Sequence, residues 1–400
     1  MNILMLTNKM PYPPKDGGSI ATLSLALALQ KGGNTVSILS MNTSKHFIDL
    51  NTIPKEITNK IKFYPVNVNI DIKKYDALKN FFFSKAPYNA ERFISKKYKE
   101  ELIRLLKENT YDIIQLEGLY LAPYINIIKK YSTAKIALRS HNIEHEIWER
   151  IASNEVNSLK KFYKKNLANR IKEFKLKYIN KYDFLIPITY RDGEKYNSLG
   201  NVQPIHVVQT GVESERYHLN GLIPEFPGFF HIGALDWMPN QEGLKWFIDN
   251  VWHKFRERHP EIKFYLAGRN APEQFEKYLE ENNITYLGEI ENANDFINSK
   301  SVMVVPLLSG SGMRIKIIEG MALGKTVITT SIGTEGINTV NNENILIADT
   351  PNDFLECMER IYNDKSLHDK ISHNAIEFVN KYFNNDTIAS GLIDFYKKYL

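Results

Sequence analysis

One local grammar runs along this chain twice. Short apolar runs, "NILMLT" at the start and later "TVSILSM", "DIIQL", "KIALRSH" and "DFLIPIT", alternate with amphipathic stretches, the first a helix expected from about Ser19 to Lys31. A second series opens near Gly228 with "FFHIGAL", the helical "NQEGLKWFIDNVWHKFRER", "IKFYLAGR", "ITYLGEI", "SVMVVPLL" and "TVITTS". Strands that are apolar along their whole length must be covered on both faces, and helices on both sides of a parallel sheet provide that cover. The repeat therefore predicts an α/β fold of two doubly wound parallel-sheet domains. A chain of 400 residues, 43% of them hydrophobic, can fill two such cores. Between the two series lies "NVQPIHVVQTGVESERYHLNGLIPEFPGF", residues 201–229, rich in Gly, Pro and short polar residues as a linker is. The boundary is expected near residue 211, giving domains of 1–210 and 211–383. Open sheets of this kind bind ligands beyond the carboxyl ends of their strands, so the active site is expected in a cleft between two facing domains.

Charge and cysteine usage narrow the classes. A formal net charge of +5 suits an anionic ligand or membrane surface and falls short of an obligate nucleic-acid binder. Cys357 is the single cysteine, so neither an internal disulfide nor a thiolate metal cluster is expected, and a cytoplasmic setting fits best. The start "MNILMLTNKMPYPP" has no basic region ahead of its apolar stretch, and no apolar run approaches the ~18 residues of a spanning helix. Neither secretion nor membrane insertion is expected.

The most informative stretch is "GSGMRIKIIEG", residues 310–320, leaving the strand "SVMVVPLL". Gly310 and Gly312 permit positive φ and close approach of a ligand, and the helix that follows offers unpaired N–H groups and a positive dipole end. Arg314 and Lys316 add positive charge at that end. Glu319 lies five residues past Arg314, roughly 7 to 8 Å along the axis. That is about the reach from a diphosphate to its ribose, whose hydroxyls a carboxylate can bind. The lesser alternative, for this stretch read alone, is a surface pair of Arg314 and Glu319 on an ordinary helix.

Other stretches carry weaker signals. "KDGGSIATLSLAL", residues 15–27, opens a helix with Gly17 and Gly18, a place for a phosphate or a developing negative charge; tight-turn packing explains the two glycines as well. His141, Glu144 and His145 in "HNIEHE" match a zinc-peptidase spacing, but His141 sits where a strand ends and not on the helix that such ligands need, so no metal site is expected. Glu117, after "DIIQL", could touch an acceptor or orient His141, or be a solvated loop carboxylate. "GMALGKT" has the spacing and element order of a phosphate loop wrong. Residues 159–182 hold nine Lys or Arg against one Glu with apolar residues among them, which suits either an anionic lipid surface or a solvated helix packing its apolar stripe inward.

Taken together, "NKMPYPPKDGGSIATLSLALAL", "RSHNIEHEIWERIA" at 139–152, "GALDWMPNQEGLKWF" at 233–247, "FYLAGR" at 264–269 and "PLLSGSGMRIKIIEGMALGKTVITTSIGTEGI" at 306–337 resemble the retaining glycosyltransferases of family 4 over almost the whole chain. The resemblance implies the GT-B fold, two facing Rossmann-like domains, with the first binding the acceptor and the second the donor. It also implies a C-terminal helix, about 384–400, packing back on the first domain. The implied reaction moves a sugar from a nucleotide diphosphate sugar to an acceptor hydroxyl with retention, without metal or other cofactor. His141 matches the family's histidine near the transferred sugar. The donor-binding set is Gly17, Gly18, Gly233, Gly310, Ser311, Gly312, Met313, Arg314, Lys316 and Glu319, with His141, Arg314 and Lys316 as catalytic candidates. Glu117, Asn142 and Glu144 are acceptor-side candidates.

Two departures from the family pattern stand out. The signature has two glutamates eight positions apart; here the second is Glu319, but the first position is Ser311, where a hydroxyl and backbone amides would replace a carboxylate. The family's Arg and Lys for the diphosphate fall at Ala234 and Asn240, so Arg314 and Lys316 are expected to supply the missing charge. The expected partners are a nucleotide diphosphate sugar and a carbohydrate or lipid-linked acceptor, with peripheral contact to anionic membrane through 159–182 at the inner face, and no nucleic acid. A hexosyltransferase (EC 2.4) of bacterial surface polysaccharide or glycolipid assembly fits these features. An epimerase of the same architecture and a non-catalytic nucleotide-sugar binding protein remain as alternatives.

Overall fold

Neighbouring residues of β1 (Asn2–Thr7) feed opposite cores: Leu4 and Leu6 pack with Leu39, Met41, Ile114 and Leu116, while Ile3 and Met5 pack with Val36, Ile38 and Ile113. Side chains alternate across a strand, so a run apolar at every position needs cover on both faces. The computed structural model describes residues 1–44, 47–71, 75, 79–80, 84, 86–153, 155, 157–212, 223–310 and 313–400. They divide into two compact units, Met1–Gly211 with Asn385–Leu400, and Val212–Asn384.

In the first unit β1 is joined by β2 (Thr35–Thr43), β3 (Ile61–Val68), β4 (Ile113–Glu117), β5 (Lys135–Ser140) and β6 (Phe184–Pro187), all parallel, in the order β3-β2-β1-β4-β5-β6. The strand order reverses between β1 and β4, so the loops leaving these two strands diverge and open a crevice. The helix Gly17–Lys31 follows β1 and starts two residues before the sequence suggests, because the Asp16 side chain accepts from the Ser19 amide. The C-terminal helix Asn385–Tyr399 packs against it; a β-carbon on Gly32 would lie 2.6 Å from Ile393 Cδ1.

The second unit repeats the plan. Its parallel strands β7 (Glu225–Ile232), β8 (Phe264–Ala267), β9 (Thr285–Tyr286), β10 (Lys300–Val305), β11 (Thr326–Thr329) and β12 (Leu346–Ile347) lie in the order β12-β11-β10-β7-β8-β9, reversing between β7 and β10. Phe229, Val302, Val304 and Ile328 face one core, and Phe230, Met303, Val305 and Val327 face the other.

The basic stretch of the first unit forms the helix Ser158–Tyr178. Leu167, Ile171, Phe174 and Tyr178 are buried, whereas Leu159 and Phe162 are 82% and 65% exposed. The helix therefore packs an apolar stripe inward along its later turns and presents a second apolar stripe to solvent at its start. Among the described residues, no helix is long and apolar enough to cross a membrane.

Candidate functional site

At the reversal point of the second unit, Gly233 follows β7, and the loop from Pro306 leaves β10 for the helix Ile315–Ala322. The helix Met238–Phe247 comes close to this loop because residue 243 is glycine: a β-carbon there would lie 2.0 Å from the Pro306 carbonyl oxygen. That approach brings Asn240 next to Lys316 of the first helical turn. Lys316 Nζ donates to Asn240 Oδ1 at 2.9 Å and lies 3.3 Å from His231 Nε2.

Both partners are oriented by the backbone. Asn240 Nδ2 donates to the Ala234 carbonyl at 2.7 Å. The fully buried His231 is 2.8 Å from the Val304 carbonyl through Nδ1, so Nδ1 carries the proton and Nε2 is left to accept from Lys316. Burial, and then the adjacent Lys316 charge, hold His231 well below the usual histidine range, against the Val304 bond. Burial followed by the Arg314 charge draws Lys316 down to about 7. A β-carbon on Gly233 would lie 3.0 Å from Lys316 Nζ and 3.1 Å from Asn240 Nδ2, so a side chain there would crowd the lysine tip.

Arg314, 5% exposed, is the residue immediately before the helix Ile315–Ala322. Gly310 makes room for its guanidinium: φ is +131°, which disfavours any side chain, and a β-carbon would lie 2.9 Å from Arg314 Nη2. Glu319, partly exposed, is three residues beyond Lys316 and so on the same helical face. Met313 packs partly buried against the core. Ser311 and Gly312 lie outside the described residues. The arrangement sets two cations at the carboxyl end of a parallel sheet, with neutral hydrogen-bond partners around Lys316, which is chemistry for neutralising an anion.

At the reversal point of the first unit, Glu117 ends β4 and is 5% exposed. Its Oε2 lies 2.8 Å from His141 Nε2, accepts from the Thr22 hydroxyl at 3.0 Å and lies 3.4 Å from Arg139 Nη1; its Oε1 accepts from Gln115 Nε2 at 2.5 Å. Burial opposes the carboxylate charge, but Arg139, His141 and Gln115 outweigh it and hold Glu117 at about 2. Gln115 in turn accepts from the Tyr396 hydroxyl at 2.7 Å.

The remaining candidates disperse. Gly17 and Gly18 stand at the start of the helix Gly17–Lys31, beside Asp16 and its 2.6 Å ion pair with Lys9. A β-carbon on Gly18 would make only ordinary contacts. The Asn142 carbonyl accepts from the Ser140 hydroxyl, and Glu144 is turned to the buried Lys175, 3.0 Å away. His145 is buried, and burial draws it down to about 4. Among the described residues no three His, Cys, Asp or Glu side chains gather into a metal site.

Residue pattern alone missed Arg139, Gln115, Thr22 and Tyr396, and the roles of His231 and Asn240 as supports for Lys316. The signal for Arg139 and Gln115 was present: each is a polar interruption in an apolar strand. Tyr396 had none, being 281 residues from its partner.

Residues 227–364 match the family described as Glycosyl transferases group 1. Over 98% of both chains this protein is 24% identical to one from Klebsiella pneumoniae described as an uncharacterized 44.6 kDa protein in cps region. Its fold is similar to that of sucrose-phosphate synthase from Thermosynechococcus elongatus, with a TM-score of 0.71 and 16% identity over 100% of this chain and 99% of that one. It is also similar to Anabaena HepE in complex with UDP-glucose, with a TM-score of 0.64 and 13% identity over 100% of both chains. Two units, each with a six-stranded parallel sheet and flanking helices, make the fold GT-B. The family match and this fold support a glycosyltransferase.

Proposed function

We propose that the protein is a retaining glycosyltransferase that moves a hexosyl group from a nucleotide diphosphate sugar to an acceptor hydroxyl. The observation that carries this reading is the seat of Lys316 against Asn240 and His231, with Gly233 leaving it room. Position 240, where the resembled family has a lysine, is taken by an asparagine, and a lysine from another helix brings its ammonium to that side chain. A departing diphosphate gains most from cations held in place before the bond breaks. Arg314 and Lys316 take that part with no metal, and Glu319 takes the ribose. The donor class is supported by HepE, whose complex holds UDP-glucose.

In the first unit, His141 serves the transferred sugar, and a leaving-group oxygen takes the acceptor proton. A carbohydrate or lipid-linked acceptor in surface polysaccharide assembly accords with the Klebsiella relative of the cps region. Cytoplasmic work at the inner membrane face accords with the exposed Leu159 and Phe162 among lysines.

A thermal-shift panel of UDP, GDP, ADP, CDP and their sugars against wild type and Glu319→Ala tests the reading. Binding raises the melting temperature by mass action. One diphosphate should raise it in wild type and not in Glu319→Ala, and its sugar should then yield a product of unchanged anomeric configuration on a supplied acceptor. An epimerised donor in place of a transfer product, or equal shifts in both proteins, would sink the proposal.

A further inference from the structure

A chain of three hydrogen bonds, the first two buried and the last part-buried, runs from the C-terminal helix to His141. The Tyr396 hydroxyl donates to Gln115 Oε1 at 2.7 Å, Gln115 Nε2 donates to Glu117 Oε1 at 2.5 Å, and Glu117 Oε2 lies 2.8 Å from His141 Nε2. Tyr396 and Gln115 are fully buried. An amide can pass on such a bond in only one orientation: with Oε1 toward the tyrosine, Nε2 must face the carboxylate. The ionised Glu117 only accepts, so the proton between it and His141 sits on Nε2 of the imidazole. In the neutral ring Nδ1 is then the acceptor nitrogen.

We propose that Tyr396 and Gln115 are positioning residues that fix the tautomer and ring orientation of His141 through Glu117, so that the docked C-terminal helix sets the state of this histidine. As a statement about turnover the proposal rests on the glycosyltransferase reading; as a statement about the imidazole it does not. Tyr396→Phe keeps the ring and deletes the hydroxyl, and Gln115→Met cuts the next link at similar volume should the first variant fold poorly. Tyr182→Phe removes another buried hydroxyl of the same unit, one that donates to Asn201 Oδ1, and serves as the control.

Long-range proton–nitrogen spectra of histidine-labelled protein, with His141 assigned through His141→Asn, should show the Nε2–H tautomer in wild type and Tyr182→Phe. In Tyr396→Phe and Gln115→Met the signal should move toward a tautomer mixture, and kcat should fall about tenfold with the donor KM unchanged, the low end of the loss seen when outer partners of a metal-bound histidine are removed. An Nδ1–H tautomer in wild type, or a His141 signal and kcat that move no more in Tyr396→Phe than in Tyr182→Phe, overturns the proposal. If wild type transfers no sugar, the glycosyltransferase reading fails, and the His141 signal alone decides the relay.

Discussion

Lys316 Nζ donates to Asn240 Oδ1 at 2.9 Å although the two residues stand 76 positions apart on different helices. One side chain thus brings its charge to a position that the resembled family fills from a different element. The Lys316→Met variant keeps the apolar stem and deletes the ammonium. Affinity for the diphosphate selected by the thermal-shift panel should fall at least tenfold, about 1.4 kcal/mol, in a calorimetric titration. A change within a factor of two would show that the charge serves something else.

The same ammonium sets a pH dependence. Its folded-state value is about 7 against an ordinary 10.5, so between these limits the unfolded chain carries the extra proton and stability rises with pH. Urea midpoints for wild type should climb relative to Lys316→Met from about pH 7 to about pH 10. Diphosphate affinity runs the other way and weakens as pH passes about 7, since the anion needs the charged lysine. A parallel pH course for the two proteins would refute the coupling.

Gly243 and Gly233 should separate packing from binding. A methyl at 243 would sit 2.0 Å from the Pro306 carbonyl oxygen, a backbone atom that cannot swing away. Gly243→Ala should therefore cost about 1–3 kcal/mol or more and lower the melting temperature. At 233 the methyl would meet the tip of Lys316, which can move, so Gly233→Ala should lose donor affinity with little loss of stability. The reverse ranking of melting temperatures would contradict this packing.

Glu117→Gln removes the carboxylate facing the buried Arg139. Breaking a buried pair of this kind costs roughly 3–5 kcal/mol near neutrality. Because Glu117 is held at about 2 in the fold against 4.5 in an unfolded chain, its contribution is complete above about pH 4.5 and is lost as pH falls toward 2. The stability gap between wild type and variant should shrink over that window in acid denaturation. A gap that stays constant would assign it to packing.

Leu159 and Phe162 offer a test of membrane contact. Replacing both by Ser should cut co-sedimentation with anionic vesicles severalfold while leaving the melting temperature nearly unchanged, since both are exposed. Equal sedimentation of variant and wild type would remove the lipid surface from the proposal.

The two parallel sheets follow from the sequence alone, because strands apolar at every position have few ways to be buried. So do the loops that could matter: the segments leaving β1, β4, β7 and β10 were visible as glycine or polar turns after apolar runs. What local pattern could not supply is which side chain meets which. Glu144 read as an acceptor-side carboxylate, and the fold sets it 3.0 Å from Lys175 on the next helix, a partner that local pattern does not name. Glu117 read equally as a loop carboxylate, yet it is buried among Arg139, His141, Thr22 and Gln115. These partners are set by strand order and by helices returning from distant parts of the chain. Periodicity reports which face a residue occupies; the tertiary fold alone decides what stands opposite it.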